Sequence, residues 1–224
     1  MPHSVRRHLR VEIDDYDATI RRFIPGYEEM LEVAADAVAA VEPELALDVG
    51  AGTGALASAL LRRPEVRRVQ LLDIDPEMLR VARERLADHL DRAVLTLGSY
   101  AEAFPPCDAL GASLALHHIP AIEPKRDLFA RAFAAIRSRG VLVNADVTMP
   151  VDPESRAALY RTWADHLVTS GIPEERAWRH FQEWAEEDTY LPLSDELAAL
   201  EGVGFEASCI WRRGPVSVVV GRRP

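Results

Sequence analysis

An α/β fold on an open, mainly parallel sheet is predicted by three features of the 224-residue sequence. The first is the stretch Leu45-Ala46-Leu47-Asp48-Val49-Gly50-Ala51-Gly52-Thr53-Gly54. A short apolar strand runs into glycines at alternate positions and then into the good helix former at 55–61. Strand, glycine turn and helix in that order make the first half of a βαβ unit. The second is the regular alternation of short apolar strands with amphipathic helices through the middle of the chain. The third is residues 141–147, apolar at almost every position, as expected of a strand covered on both faces.

Taken in order, residues 1–13 show no clear period and are expected to be a mobile start. Asp14 or Asp15 could cap a helix running to about Arg22, which Pro25-Gly26 breaks. Residues 27–41 place Met30, Leu31, Ala34, Val38 and Val41 on one face of a second helix, stopped by Pro43. After the first strand (45–49) and its helix comes a second strand at 69–73. Asp75 is placed to cap the next helix, with Pro76 in the first turn where a missing N–H is tolerated. That helix turns Met78, Leu79, Ala82 and Leu86 inward. Third and fourth strands are expected at 94–97 and 109–114. A helix over 125–136, with Leu128, Phe129, Ala132, Phe133 and Ile136 on one side, is expected to end at Arg139-Gly140 before the fifth strand at 141–147. A helix over 194–200, a turn at Gly202-Val203-Gly204, and strands at 205–211 and 215–221 joined by Arg212-Arg213-Gly214 close the chain.

The glycine turn says something about a ligand. Backbone without Cβ can adopt positive φ and let a bound group approach closely, and the following helix offers free N–H groups there. The pattern is G-x-G-x-G, unlike the G-x-G-x-x-G of dinucleotide sites, and Asp48 ends its strand. A carboxylate there would repel a pyrophosphate and suit an ammonium. The expected ligand carries an amine where a dinucleotide carries phosphates.

This combination resembles motif I of the class I S-adenosyl-L-methionine (SAM)-dependent methyltransferases. Leu71-Leu72-Asp73-Ile74-Asp75-Pro76-Glu77-Met78-Leu79 is similar to that family's second motif. Leu114-Ala115-Leu116-His117-His118-Ile119 resembles the segment after strand four in its small-molecule branch. Tyr16-Asp17 through Phe23-Ile24-Pro25-Gly26-Tyr27 resembles the N-terminal helix that closes over SAM. The resemblance spans most of the chain and is weakest over 150–192. It implies SAM as cofactor and a Rossmann-like doubly wound sheet of seven strands, five parallel plus a C-terminal antiparallel hairpin. It also implies a single domain over 1–224, with an N-terminal helical cap (1–42) and a helical lid insert after strand five (151–191). The cofactor-binding residues implied are Asp48, Gly50, Ala51 and Gly52 at the turn, together with Ile74, Met78, Tyr100 and Leu114. Asp73, about twenty residues past the last glycine, would accept both ribose hydroxyls. Ser99 stands where the family commonly has an acidic residue for the adenine amino group, so the base would be met without charge assistance. Tyr16 and Arg21 would reach the SAM carboxylate.

Composition narrows the partners. With 48% hydrophobic and 28% charged residues the chain reads as one domain with a sizeable core. A net charge of −10 argues against a general nucleic-acid binder, although Arg6, Arg7, Arg10, Arg21 and Arg22 cluster near the N-terminus. Cys107 and Cys209 form no C-x-x-C pair and read as small buried hydrophobes. Neither a secretion signal nor an apolar run of about twenty residues is seen. The expectation is a cytoplasmic protein with a small-molecule acceptor, no nucleic acid and no membrane.

The stretch 151–191 breaks the alternation. It holds two helical patterns, 153–169 and 173–187, split by Ser170-Gly171-Ile172-Pro173, and carries Trp163, Trp178 and Trp184 with Tyr160, Phe181, Tyr190, His166 and His180. Above the carboxyl ends of the strands these aromatics would form a lid over an acceptor pocket. Alternatively they glue the insert to the sheet or to a second subunit, as in a homodimer. Methyl transfer needs alignment and water exclusion, and a base only if the acceptor must lose a proton. His117, after strand four, is the candidate base, while His118 would face elsewhere on an extended segment. No metal is expected: Asn144 and Asp146 share a strand face, but no third acidic ligand follows strand four. The leading expectation is methyl transfer from SAM to O, N or S of a small molecule. A carboxy-SAM synthase-like enzyme of tRNA modification, which 23–27 also resembles, and a SAM-binding protein without turnover are the alternatives.

Overall fold

In the computed structural model, which describes residues 16–224, one sheet carries seven strands. They are β1 (Ala46–Val49), β2 (Val69–Asp73), β3 (Ala93–Leu97), β4 (Cys107–Ser113), β5 (Ile136–Val147), β6 (Glu206–Arg213) and β7 (Val216–Arg222). Their order is β3-β2-β1-β4-β5-β7-β6. The first five are parallel, and β7 runs antiparallel between β5 and β6. The helices are α1 (Tyr16–Phe23), α2 (Tyr27–Ala39), α3 (Ala55–Leu61), α4 (Pro76–Arg85), α5 (Ile122–Ala135), α6 (Pro153–Thr169), α7 (Glu174–Trp184) and α8 (Leu193–Gly202). The expectations for residues 1–13 and for a cap at Asp14 or Asp15 lie outside the described residues.

The two-residue period of the strands divides the core. On β5, Val141, Val143, Ala145 and Val147 join the cluster under α2, α3 and α4, whereas Leu142 joins Leu128, Phe129 and Leu200 from α5 and α8 on the other face. On β7, Val216, Val218 and Val220 go to the first cluster and Val219 to the second. Both strands are therefore buried on both faces and largely apolar, the property that marks 141–147 in the sequence, with Asn144, Asp146 and Ser217 the buried polar exceptions. Asp75 caps α4 by accepting the Glu77 N–H, with Pro76 in the first turn.

Most other element ends lie within about three residues of expectation, and two differences change the local structure. The helix over 125–136 begins at Ile122 and ends at Ala135, and Ile136 already belongs to β5, paired with Cys107. Arg139-Gly140 is therefore not a helix stop but a kink inside the strand, where the register against β4 shifts. A Cβ on Gly140 would lie 2.3 Å from the Asp108 carbonyl oxygen, so only glycine fits the kink. The final hairpin turns at Gly214-Pro215 rather than at 212–214, because Arg213 still pairs with Val216.

The insert packs as two helices crossing back over the strand ends. Trp163 is 1% exposed, its ring within 5.0–5.8 Å of Phe181, Trp184 and Tyr190. Its indole N–H donates to the Phe23 carbonyl at 2.6 Å, and Arg22 donates to the carbonyls of Ser170 and Gly171 at 3.0 and 3.2 Å. The insert and α1 are thus one roof. Trp163→Phe removes the buried hydrogen bond and should cost about 1–3 kcal/mol in a denaturant titration. Trp178→Phe, at a residue 37% exposed, should stay within about 0.5 kcal/mol. Equal losses in both variants would show that the roof is not held through Trp163.

Candidate active site

A cavity of about 340 Å³ opens at the carboxyl ends of β1, β2 and β4. The strand order reverses between β1 and β4, and ligands of open α/β sheets bind at that crevice. One end of the cavity is polar backbone. Gly50 and Ala51 donate their N–H groups to the Leu72 carbonyl at 2.8 and 3.2 Å, folding the glycine turn back on β2. Gly50 has φ 65°, and a Cβ there would stand 2.5 Å from that of Ala115. Gly52 has φ 53°, but its Cβ position meets no atom within 4 Å and borders the cavity.

Two aspartates flank this turn. Asp73 accepts the N–H of Gly52 at 2.7 Å and that of Asp75 at 2.8 Å, so it supports the turn as well as facing the cavity. Burial raises its pKa above the ordinary carboxylate value despite those donors. Asp48, 1% exposed, accepts the Ala57 N–H at 2.9 Å through Oδ2, while Oδ1 is buried with no hydrogen-bond partner. Burial, reinforced by Asp73, pushes its pKa up to about 7. Over both lies α1: Asp17 accepts from the Thr53 hydroxyl at 2.7 Å and pairs with Arg85. Tyr16 lines the cavity, and burial followed by the Asp73 charge pushes its phenol up to about 12.

Of the expected cofactor residues, Tyr16, Asp48, Gly50, Ala51, Gly52, Asp73, Ile74, Met78, Ser99, Tyr100 and Leu114 all border this one cavity. Arg21 does not. Its guanidinium turns outward to Glu28 at 2.5 Å and to the Asp17 carbonyl at 2.8 Å, because Ile20 and Phe23 take the buried face of α1. Ser99 accepts the Ala101 N–H at 3.1 Å. Leu114 leaves β4 at φ 50°, which turns the chain into the 3₁₀ segment Leu116–His118.

That turn corrects the expectation for His118. On a 3₁₀ turn neighbouring side chains are about 120° apart rather than opposed, and both histidines border the cavity with ring centroids 4.2 Å apart. His117 Nδ1 lies 2.6 Å from Asp146 Oδ1, which leaves Nε2 as its other face. Asp146 is pinned by the N–H groups of Leu116 and His117 on Oδ2, both at 3.0 Å, and of Val147 on Oδ1 at 2.8 Å. Burial disfavours the His117 imidazolium, but Asp146 and Asp188 outweigh it and hold the pKa above the usual histidine value. Asp188 was missed in the sequence. It follows the acidic run Glu186-Glu187 beyond α7, and no spacing relates it to the histidines. It arrives because Thr189 donates its N–H to the His117 carbonyl at 2.8 Å. Phe23, Trp163, Trp184 and Tyr190 wall this end with rings.

A seven-stranded sheet with an antiparallel strand between β5 and β6, a glycine turn after β1 and an acidic end to β2 defines the class I methyltransferase fold. Residues 47–142 match the family model described as a methyltransferase domain. An uncharacterized methyltransferase of Geobacillus kaustophilus is 29% identical over 205 residues, covering 88% of this chain and 83% of the relative. The S-adenosylmethionine-dependent methyltransferase SibL is 25% identical with a TM-score of 0.60, covering 80% of this chain and 50% of that one. An O-methyltransferase family protein from Burkholderia thailandensis has the same fold with a TM-score of 0.71 at 17% identity, covering 94% and 59%. The chain thus spans about half the length of these solved proteins. Its fold is that of the class I SAM-dependent methyltransferases, and residues 47–142 carry a methyltransferase domain. No helix among the described residues is long and apolar enough to cross a membrane.

The turn geometry makes a prediction of its own. Gly50→Ala combines a left-handed residue with a clash against Ala115 and should cost about 2–4 kcal/mol. Gly52→Ala bears only the backbone penalty, about 1–2 kcal/mol. Equal losses in chemical denaturation would contradict the placement of Ala115 behind Gly50.

Proposed function

We propose that the chain transfers a methyl group from SAM to a hydroxyl of a small aromatic acceptor. The observation that carries this reading is the charge of the cavity. Among the described residues its lining holds Asp48, Asp73, Asp75 and Asp188 and no lysine or arginine, which suits a cationic donor. SAM supplies a methyl group on a positively charged sulfur, and displacement breaks that C–S bond as the C–O bond forms and the hydroxyl proton leaves. The residues present fit this donor. The unpartnered Oδ1 of Asp48 offers an acceptor to an ammonium, Asp73 keeps spare lone pairs for ribose hydroxyls, and the open space beside Gly52 admits a ligand against the backbone. Phe23, Trp163, Trp184 and Tyr190 suit an aromatic acceptor and exclude water. His117, held by Asp146, borders the aromatic end of the cavity, where the acceptor hydroxyl would lie. The Burkholderia fold relative is named as an O-methyltransferase family protein, in line with oxygen as the acceptor atom. A cytoplasmic setting belongs to this reading, supported by Cys107 and Cys209 both being free thiols.

The test begins with the neutral product S-adenosylhomocysteine. In calorimetry the wild type should bind it, Asp73→Ala should lose about 2–3 kcal/mol of affinity, and Gly52→Val should fold but not bind. Unchanged affinity in both variants would refute this cofactor site. Incubation with SAM and a panel of phenols should then release S-adenosylhomocysteine. Binding without release on any acceptor would leave a SAM-binding protein instead.

Asp48 gives a pH dependence. Its native pKa of about 7 lies above the unfolded carboxylate value, so the ligand-free fold binds the extra proton. Stability on that account falls as pH rises from about 4 through 7. An ammonium beside Oδ1 favours the ionised form, so S-adenosylhomocysteine should bind about five- to tenfold more tightly at pH 7.5 than at pH 6. Asp48→Asn should flatten that dependence, and a wild-type affinity independent of pH would exclude Asp48 as the amine's partner.

A further inference from the structure

We propose that His117, His118 and Asp188 form a binding site for one divalent transition-metal ion at the acceptor end of the cavity. One ligand atom from each lies within 4.8 Å of the others. His118 Nδ1 and His117 Nε2 stand 3.0 and 3.6 Å from the same Asp188 Oδ1. Ligands bonded at about 2.0–2.2 Å in tetrahedral or octahedral geometry sit roughly 3.0–3.5 Å apart; the two histidine–aspartate spacings are close to this, and the histidine nitrogens, within 4.8 Å of each other, would draw together on a shared ion.

The remote atoms of two of these ligands are already held. His117 Nδ1 faces Asp146, whose carboxylate three backbone N–H groups pin in place. Asp188 Oδ2 accepts the Tyr190 hydroxyl at 2.7 Å, which turns Oδ1 toward the histidines. A carboxylate behind a histidine and a hydrogen bond behind a carboxylate are what orient metal ligands, and they fix the histidine tautomer that leaves Nε2 to bind. The ligands also come from distant parts of the chain, a turn after β4 and a loop of the insert, joined by the Thr189 to His117 backbone bond. The corner gathers the buried carboxylates of Asp146 and Asp188 around the two histidine rings, a donor set whose negative charge a divalent cation would balance. Two imidazoles and one carboxylate select a borderline first-row ion such as Zn²⁺, Fe²⁺ or Co²⁺ over Mg²⁺ or Ca²⁺. Three protein ligands leave coordination open, and all three residues border the cavity.

The role of the ion, though not its binding, rests on the acceptor reading above. A hydroxyl bound at the open position would lose its proton more readily, so the proton goes to solvent and His117 serves as a ligand rather than as the base.

The test uses the full chain dialysed against a chelator and titrated with Co²⁺, read by visible absorption, with Zn²⁺ as competitor. One ion per chain is expected, displaced by one equivalent of Zn²⁺. Asp188→Asn and His118→Ala should weaken Co²⁺ binding at least about a hundredfold, and Asp146→Asn about 10–100-fold. His166→Ala, outside the cluster, should leave it unchanged. Thermal unfolding of each metal-free variant establishes that it is folded. Fewer than one ion in ten chains, or equal affinity in wild type and Asp188→Asn, would overturn the site. Titration of the same samples with S-adenosylhomocysteine separates the two readings: a chain that binds it but takes up no cobalt overturns the metal site alone.

Discussion

The buried carboxylate of Asp146 is the constraint on which the histidine end of the cavity depends. It sits near the end of β5 and collects three backbone N–H groups and the His117 ring. Burial alone would raise its pKa, yet His117 and these donors hold it below the usual carboxylate range, so it stays ionised. A carboxylate so fully satisfied is costly to move. It locks the turn after β4 against β5, fixes the ring of His117, and through the Thr189 bond sets where the insert's loop lands. Substituting Asp146 would disturb the turn and the loop together.

The other end is organised by a similar device. Asp73 accepts from Gly52 and Asp75, so the carboxylate that faces the cavity also ties the glycine turn to the end of β2. Between the two ends stretches α1. Its start is fastened to the glycine turn through Asp17, Thr53 and Arg85, and its finish to the insert through Phe23, Arg22 and Trp163. One short helix therefore spans the glycine-turn and histidine ends of the cavity. Opening it would release contacts at both, which couples the closing of one end to the other.

What was legible in the sequence was local. The turn 50–54, the acidic end of β2, the Asp75 cap and the doubly buried β5 each announce themselves within a few residues, because glycine, proline and the two-residue period act at short range. What failed depended on direction or on distant partners. Arg21 points out because Ile20 and Phe23 claim the buried face of α1. His118 joins His117 because a 3₁₀ turn replaced an extended segment. Ile136 left its helical period because Cys107 on the neighbouring strand offered it a pairing partner. Asp188 is brought in by a loop some seventy residues away, and no pattern within the insert could disclose it.

The aspartate-lined cavity also bears on how the two ends communicate. Interaction between charges is far stronger in a buried, weakly screened site than in water. A cationic donor would therefore gain from Asp48 and Asp73 what a neutral sulfur cannot. In the proposed reaction, transfer of the methyl group would discharge the sulfur, so the same carboxylates would hold the product less tightly than the donor. On that reading binding and release would need no separate device: the charge lost in the reaction would weaken the grip, and the roof of α1 and the insert would lose one reason to stay closed. A second cation at His117, His118 and Asp188 would keep the acceptor end neutralised through that change, so the loss of charge would be felt at the donor end alone.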